Sequence, residues 1–221
     1  MEFLKSHFLD PIILLEILAF GISLFSFSKR QPQDVLRLFP FIFIAIIIFE
    51  FYGGYMKYNH RNNNHVYNTL SPVYTLGYLF IVGQMLISGT RKKVVLILIC
   101  AYPVLILFDF YFFKSWYIFN SRTIFLECLV LVIAAIMAFF ELSTMPTQMA
   151  LRNTPLFWIS CSLLLFFLPM AVVTSIYNFL PNDKQVLMLY GKVFSKTLMI
   201  LNFFHYGLFS YAFICRLTFQ T

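Results

Sequence analysis

Four carboxylates, Glu16, Glu50, Asp109 and Glu127, sit inside long apolar runs of the chain. A carboxylate in the middle of a membrane helix costs about 2.5 to 3.5 kcal/mol on insertion scales, so such residues normally face a bundle interior or a cavity. The chemistry open to them is short: holding a cation, carrying a proton, ligating a metal, serving as acid and base, or hydrogen-bonding a neighbour as protonated interhelical glue. Glu16 follows Asp10 by six residues, Glu50 precedes Lys57 by seven, Asp109 precedes Lys114 by five and Glu127 follows Arg122 by five. With a rise of about 1.5 Å per residue, each lies about 7 to 11 Å from the polar end of its segment.

The segments that must carry them follow from composition. Of 221 residues, 61% are hydrophobic and 11% charged, with 29 Phe, and mean hydropathy is +0.82. That is more apolar surface than one soluble core of this size can hide, which excludes ordinary soluble, disordered and disulfide-built proteins. A spanning helix takes about 20 residues. Seven apolar stretches satisfy that length, at about 10–28, 36–56, 66–88, 94–113, 121–142, 156–180 and 196–217. Lys29-Arg30-Gln31-Pro32, the polar run from Lys57 to His65, Arg91-Lys92-Lys93, Lys114 to Asn120, Ser143 to Pro155, and Pro181 to Lys184 punctuate them. The fold class expected is all-α, a polytopic transmembrane bundle of seven spans forming a single domain over 1–221 with no soluble domain. Glu16 interrupts the first apolar run and no Ala-x-Ala-like site follows, so this run is expected to be a retained span rather than a cleaved signal peptide.

Chain parity then constrains the acids. The start of spans one and five and the end of spans two and four lie on the same side, so all four carboxylates share one leaflet whichever way the protein is inserted. The same half collects Asn68, Ser71, Thr174, Tyr177 and Asn178, with Asn202 and His205 deeper in span seven. Gly53 and Gly54, one turn beyond Glu50, promise open space. These residues predict a polar cavity lined by Glu16, Glu50, Asn68, Asp109, Glu127, Asn178, Asn202 and His205. The dense cationic clusters Lys29-Arg30 and Arg91-Lys92-Lys93 fall on the opposite side, which the positive-inside rule places in the cytoplasm. The N-terminus is then outside, the C-terminus cytoplasmic and the cavity outward-facing.

Specific chemistries are less well served. His60 and His65 lie in an Asn-rich stretch without a paired-histidine spacing, and His205 has Leu201 and Phe209 four residues to either side, unlike seven-helix zinc lipid hydrolases; no metal and no cofactor is expected. Retinal would need a lysine in mid-span seven opposite an acid in span three, and neither is present. Gln31-Pro32-Gln33 invites comparison with PQ-loop transporters, but Pro146-Thr147-Gln148 is a poor second copy. Pro72, Pro103 and Pro169 predict interruptions of spans three, four and six, as in many transporter sites. Cys100, Cys128, Cys161 and Cys215 form no C-x-x-C pair and read as small buried residues. No nucleotide loop, nucleophile motif or nucleic-acid module is present, and the net charge of +7 is spread over the loops.

The run Asn62-Asn63-Asn64-His65-Val66-Tyr67-Asn68-Thr69-Leu70-Ser71-Pro72-Val73-Tyr74, the segment Pro155-Leu156-Phe157-Trp158-Ile159, and Glu50 before Gly53-Gly54 resemble a group of short bacterial seven-helix inner-membrane proteins without an established activity. Its layout is similar to the membrane part of some sensor kinases. The resemblance implies an inner-membrane location and a signalling partner on a separate chain, because no kinase follows Thr221. The function expected is non-enzymatic: an outward pocket that recognises a small polar or cationic ligand or a lipid head group, in a sensory or accessory role. A small proton-coupled transporter and a membrane-embedded lipid-acting enzyme are the alternatives.

Overall fold

The computed structural model of the protein describes residues 10–25, 35–112, 116–144, 151–177, 179–181 and 183–219. Among them are seven α-helices and no strand: α1 (Pro11–Leu24), α2 (Phe39–Tyr58), α3 (Asn64–Met85), α4 (Gly89–Phe112), α5 (Ser121–Ser143), α6 (Pro155–Tyr177) and α7 (Lys184–Phe219). Short 3-10 turns, Val35–Leu38 and Leu151–Asn153, lead into α2 and α6. Local chemistry sets several starts. The Asp10 carboxylate accepts from the Ile12 amide at 2.9 Å while Pro11 occupies the first turn, where its missing N–H costs nothing. Asn120 caps α5 by accepting from the Thr123 amide.

Five helices are long and apolar enough to cross a membrane: α2 with its leading turn, α4, α5, α6 and α7. The other two fall short for different reasons. Helix α1 has 14 residues, about 21 Å, less than the roughly 30 Å of a hydrocarbon core. Helix α3 has 22 residues, ample in length, but it carries Asn68, Ser71, Thr75 and Gln84. It packs against α2, α4 and α5, and Asn68, Ser71 and Thr75 are buried against these neighbours while Gln84, near its end, is exposed.

The helices α1, α2, α3, α5, α6 and α7 form a closed circuit of packed neighbours, and α4 lies against α3 and α5 outside it. Tyr111, Leu107, Val104 and Ile97 on α4 and Phe41 and Ile48 on α2 are exposed, an apolar coat suited to acyl chains and untenable in water. The centre of the circuit is aromatic. Phe209 packs on Phe39 at 5.0 Å, on Phe43 at 5.8 Å and on Tyr78 at 5.5 Å between ring centroids, and Phe213 on Phe39 at 5.3 Å. These residues are nearly or completely buried.

Three expectations are corrected. Pro72, Pro103 and Pro169 lie inside continuous helices, so no helix is broken there. Arg91-Lys92-Lys93 belongs to the first turns of α4 instead of closing α3, which ends at Met85. The last helix runs unbroken for 36 residues from Lys184, so its start is part of the same rod as the predicted seventh span.

Helices α4 and α5 are clamped at both ends. At one end Asp109 accepts from the Asn120 amide and from the Thr123 hydroxyl. At the other, Arg91 meets Glu141 at 3.0 Å, and Glu141 also accepts from the Ser88 amide at 3.2 Å. Glu141→Gln is expected to lower stability by about 1 to 2 kcal/mol, the half-exposed Arg91 holding the loss below that of a fully buried pair. A double-mutant cycle with Arg91→Gln, read by thermal unfolding in detergent, checks it; additive losses would mean that the pair is not coupled.

Candidate functional site

Beside the aromatic centre lies a cavity of about 260 Å³, room for about eight waters at the volume each occupies in the liquid. Six of the eight residues singled out above line it: Glu16, Glu50, Asn68, Glu127, Asn202 and His205. They come from α1, α2, α3, α5 and α7, and only packing of the circuit brings them together. Among the described residues that line it there is no Lys or Arg.

On one wall, the Tyr206 hydroxyl donates to Glu16 Oε1 at 3.1 Å and the Tyr67 hydroxyl donates to Glu50 Oε2 at 3.0 Å. Glu16 and Glu50 lie within electrostatic reach of each other. Glu16 is 2% exposed, and its Oε2 has no hydrogen-bond partner. A buried polar atom in that condition is costly, and in native proteins it commonly marks a place for water, an ion or a ligand.

On the opposite wall stands Glu127, 1% exposed. Ser71 Oγ donates to its Oε2 and Tyr74 Oη to its Oε1. Tyr102 and Thr75 border the same group. Deeper in α7, the Ser162 hydroxyl lies 2.8 Å from His205 Nδ1 and donates to the His205 carbonyl at 3.0 Å. Rings close round this imidazole, with Phe166 at 4.7 Å, Phe209 at 4.6 Å and Tyr78 at 5.9 Å.

One of the predicted residues is elsewhere, and another is not described. Asp109 does not line the cavity; its carboxylate is spent on the α4–α5 clamp. Asn178 lies outside the described residues. Asn68 reaches the cavity edge, yet its amide donates to the carbonyls of Trp116 at 2.7 Å and Ile118 at 3.0 Å. Asn62 and Asn64 donate to the carbonyl of Tyr117. The Asn-rich segment, though largely exposed, therefore holds down the α4–α5 connection. His65 joins it, its ring 5.5 Å from that of Tyr117. Gly53 leaves no open space either: a Cβ there would come within 3.0 Å of Tyr67 Oη, so this glycine admits the tyrosine that reaches Glu50.

What sequence reasoning missed is the set of phenols. Tyr67, Tyr74, Tyr78 and Tyr206 all line the cavity. The first three fall, with Ser71, at i, i+4, i+7 and i+11 of α3, a helical stripe that the 3.6-residue period makes visible. Among the described residues, no group of three or more His, Cys, Asp and Glu is placed to hold a metal ion. No family model matches the chain, and comparison with curated proteins and with solved structures found no match.

Proposed function

We propose that the protein is an integral membrane protein of seven spans whose outward-facing cavity binds a small cationic or polar ligand, in a sensory or accessory role. One observation carries the reading: three carboxyls from three helices, Glu16, Glu50 and Glu127, face one cavity whose described lining residues include no lysine or arginine. Carboxyls set against aromatic rings are a combination that selects cations. Counting α1 and α3 as spans is supported by their places in the closed circuit, and Asn68, Ser71 and Thr75 of α3 are buried against its neighbours. The cationic residues Arg37, Arg91, Lys92, Lys93 and Arg152 sit at the opposite end from the acids, which supports a cytoplasmic location for that end and an inner-membrane setting. The resemblance to short seven-helix bacterial proteins agrees with this arrangement and with a sensory role. Proton-coupled transport is the weaker reading, because the layer of Phe39, Phe43, Phe209 and Phe213 closes the centre beside the cavity.

Accessibility tests the reading. In a background with the four native cysteines replaced, Asn64→Cys and Leu198→Cys are expected to react with an impermeant maleimide added outside intact cells, and Phe213→Cys is expected to stay unlabelled. Labelling of Phe213→Cys alone would sink the outward cavity. Native mass spectrometry of the purified protein is expected to show a bound cation or amine-bearing molecule, and a co-purifying anion would contradict the reading.

A further inference from the structure

The acids of the cavity are divided. Glu16 and Glu50 form one pole on α1 and α2, and Glu127 forms another on α5, a helix that α3 separates from α2 in the circuit. Between the poles stands Tyr78, which lies within electrostatic reach of both Glu16 and Glu127. Ile46, Leu70, Phe167 and Met170 make the intervening wall apolar.

Resting on the reading of this cavity as a ligand site, we propose that its occupant is a linear α,ω-diamine, with one ammonium at the Glu16–Glu50 pole, the other at Glu127, and the methylene chain along Tyr78 and Phe167. Glu16 Oε2, buried and without a partner, supplies the acceptor for the first ammonium, with Tyr206 and Tyr67 holding the two carboxyls in place from their other oxygens. A carboxylate has about four acceptor sites, so Glu127 keeps capacity for a cation beside Ser71 and Tyr74. The rings offer their faces to both the ammonium groups and the chain. A phospholipid head group fits less well. Its ammonium comes with a phosphate, and among the described residues no Lys or Arg lines the cavity to receive one. A free diamine has cations at both ends and nothing anionic between them.

The test uses the full chain in nanodiscs of phosphatidylcholine and phosphatidylglycerol, with diaminobutane and butylamine as probes in equilibrium binding. Diaminobutane is expected to bind at least about tenfold more tightly than butylamine, one added charge-assisted contact being worth about that factor. Glu127→Gln is expected to erase the difference between the two amines, and a cooperative thermal unfolding transition in the same discs shows that the variant is folded. Equal affinities in the native protein would overturn the diamine and leave a monocation pocket standing. Binding of neither amine would overturn the cation pocket as well. Repeating the measurement with phosphatidylethanolamine in the discs separates the sources: unchanged affinity supports a free diamine, and a loss of about tenfold would assign the ammonium to the lipid.

Discussion

Replacing Phe209 with alanine is expected to destabilise the protein by about 2 to 3 kcal/mol and to enlarge the cavity. Phe209 is fully buried and touches rings from two other helices, Phe39 and Phe43 of α2 and Tyr78 of α3. In a soluble core such a truncation costs about 3 to 5 kcal/mol, part of it from transfer of the ring out of water. Between membrane helices that part is small, because lipid tails are as apolar as the core. What remains is lost dispersion across the void, about 24 cal/mol per Å³. Thermal unfolding in nanodiscs measures the loss, and a change of less than about 0.5 kcal/mol would show that the aromatic layer does not hold the circuit together. Phe209→Leu should recover most of it, since leucine refills much of the space.

A second large effect is expected from Asn68→Asp. Both hydrogens of one amide nitrogen are used, to the carbonyls of Trp116 and Ile118. Asn68→Leu removes two bonds at about 1 kcal/mol each. Asn68→Asp does more, because a carboxylate presents acceptors to two acceptors, and the expected loss at neutral pH is about 3 kcal/mol. The sign of the pH effect follows. Protonation gives the new side chain one donor, so the deficit shrinks as pH falls; for Asn68→Leu it stays constant. Hydrogen exchange in residues 116–120 reads the same event locally. If the aspartate variant unfolds no earlier than the leucine variant at neutral pH, the pinning role of Asn68 is refuted.

That role was hidden in the linear pattern. An asparagine at the start of an apolar helix predicts a buried polar group, and Asn68 is one, 5% exposed. Whether it faces a ligand or a neighbouring backbone depends on where the α4–α5 connection lies, which no local pattern encodes. Asp109 makes the same point. Its depth matched that of the other acids, but Asn120 and Thr123, eleven and fourteen residues on, return beside it at the hairpin and take up the carboxylate.

Properties that depend only on length and order along the chain were legible from residues alone. The all-helical class follows from apolar run length, and the parity that sets Glu16, Glu50 and Glu127 on one side agrees with their meeting at one cavity. Glu141 escaped notice because it sits at the end of a run, where an acid reads as ordinary. Only its packing against Arg91 and Ser88 gives it a task.

Rotation of each helix about its axis and the order of helices round the circuit were decided by tertiary structure. Hydropathy cannot supply them here, for a physical reason: lipid and protein interior are both apolar, so Phe209 in the centre and Phe108 on the lipid side look alike in sequence. Packing shape and hydrogen bonding make the distinction. They turn Tyr67, Tyr74 and Tyr206 inward to the carboxyls, place α4 outside the circuit, and separate the acids into two poles across one cavity.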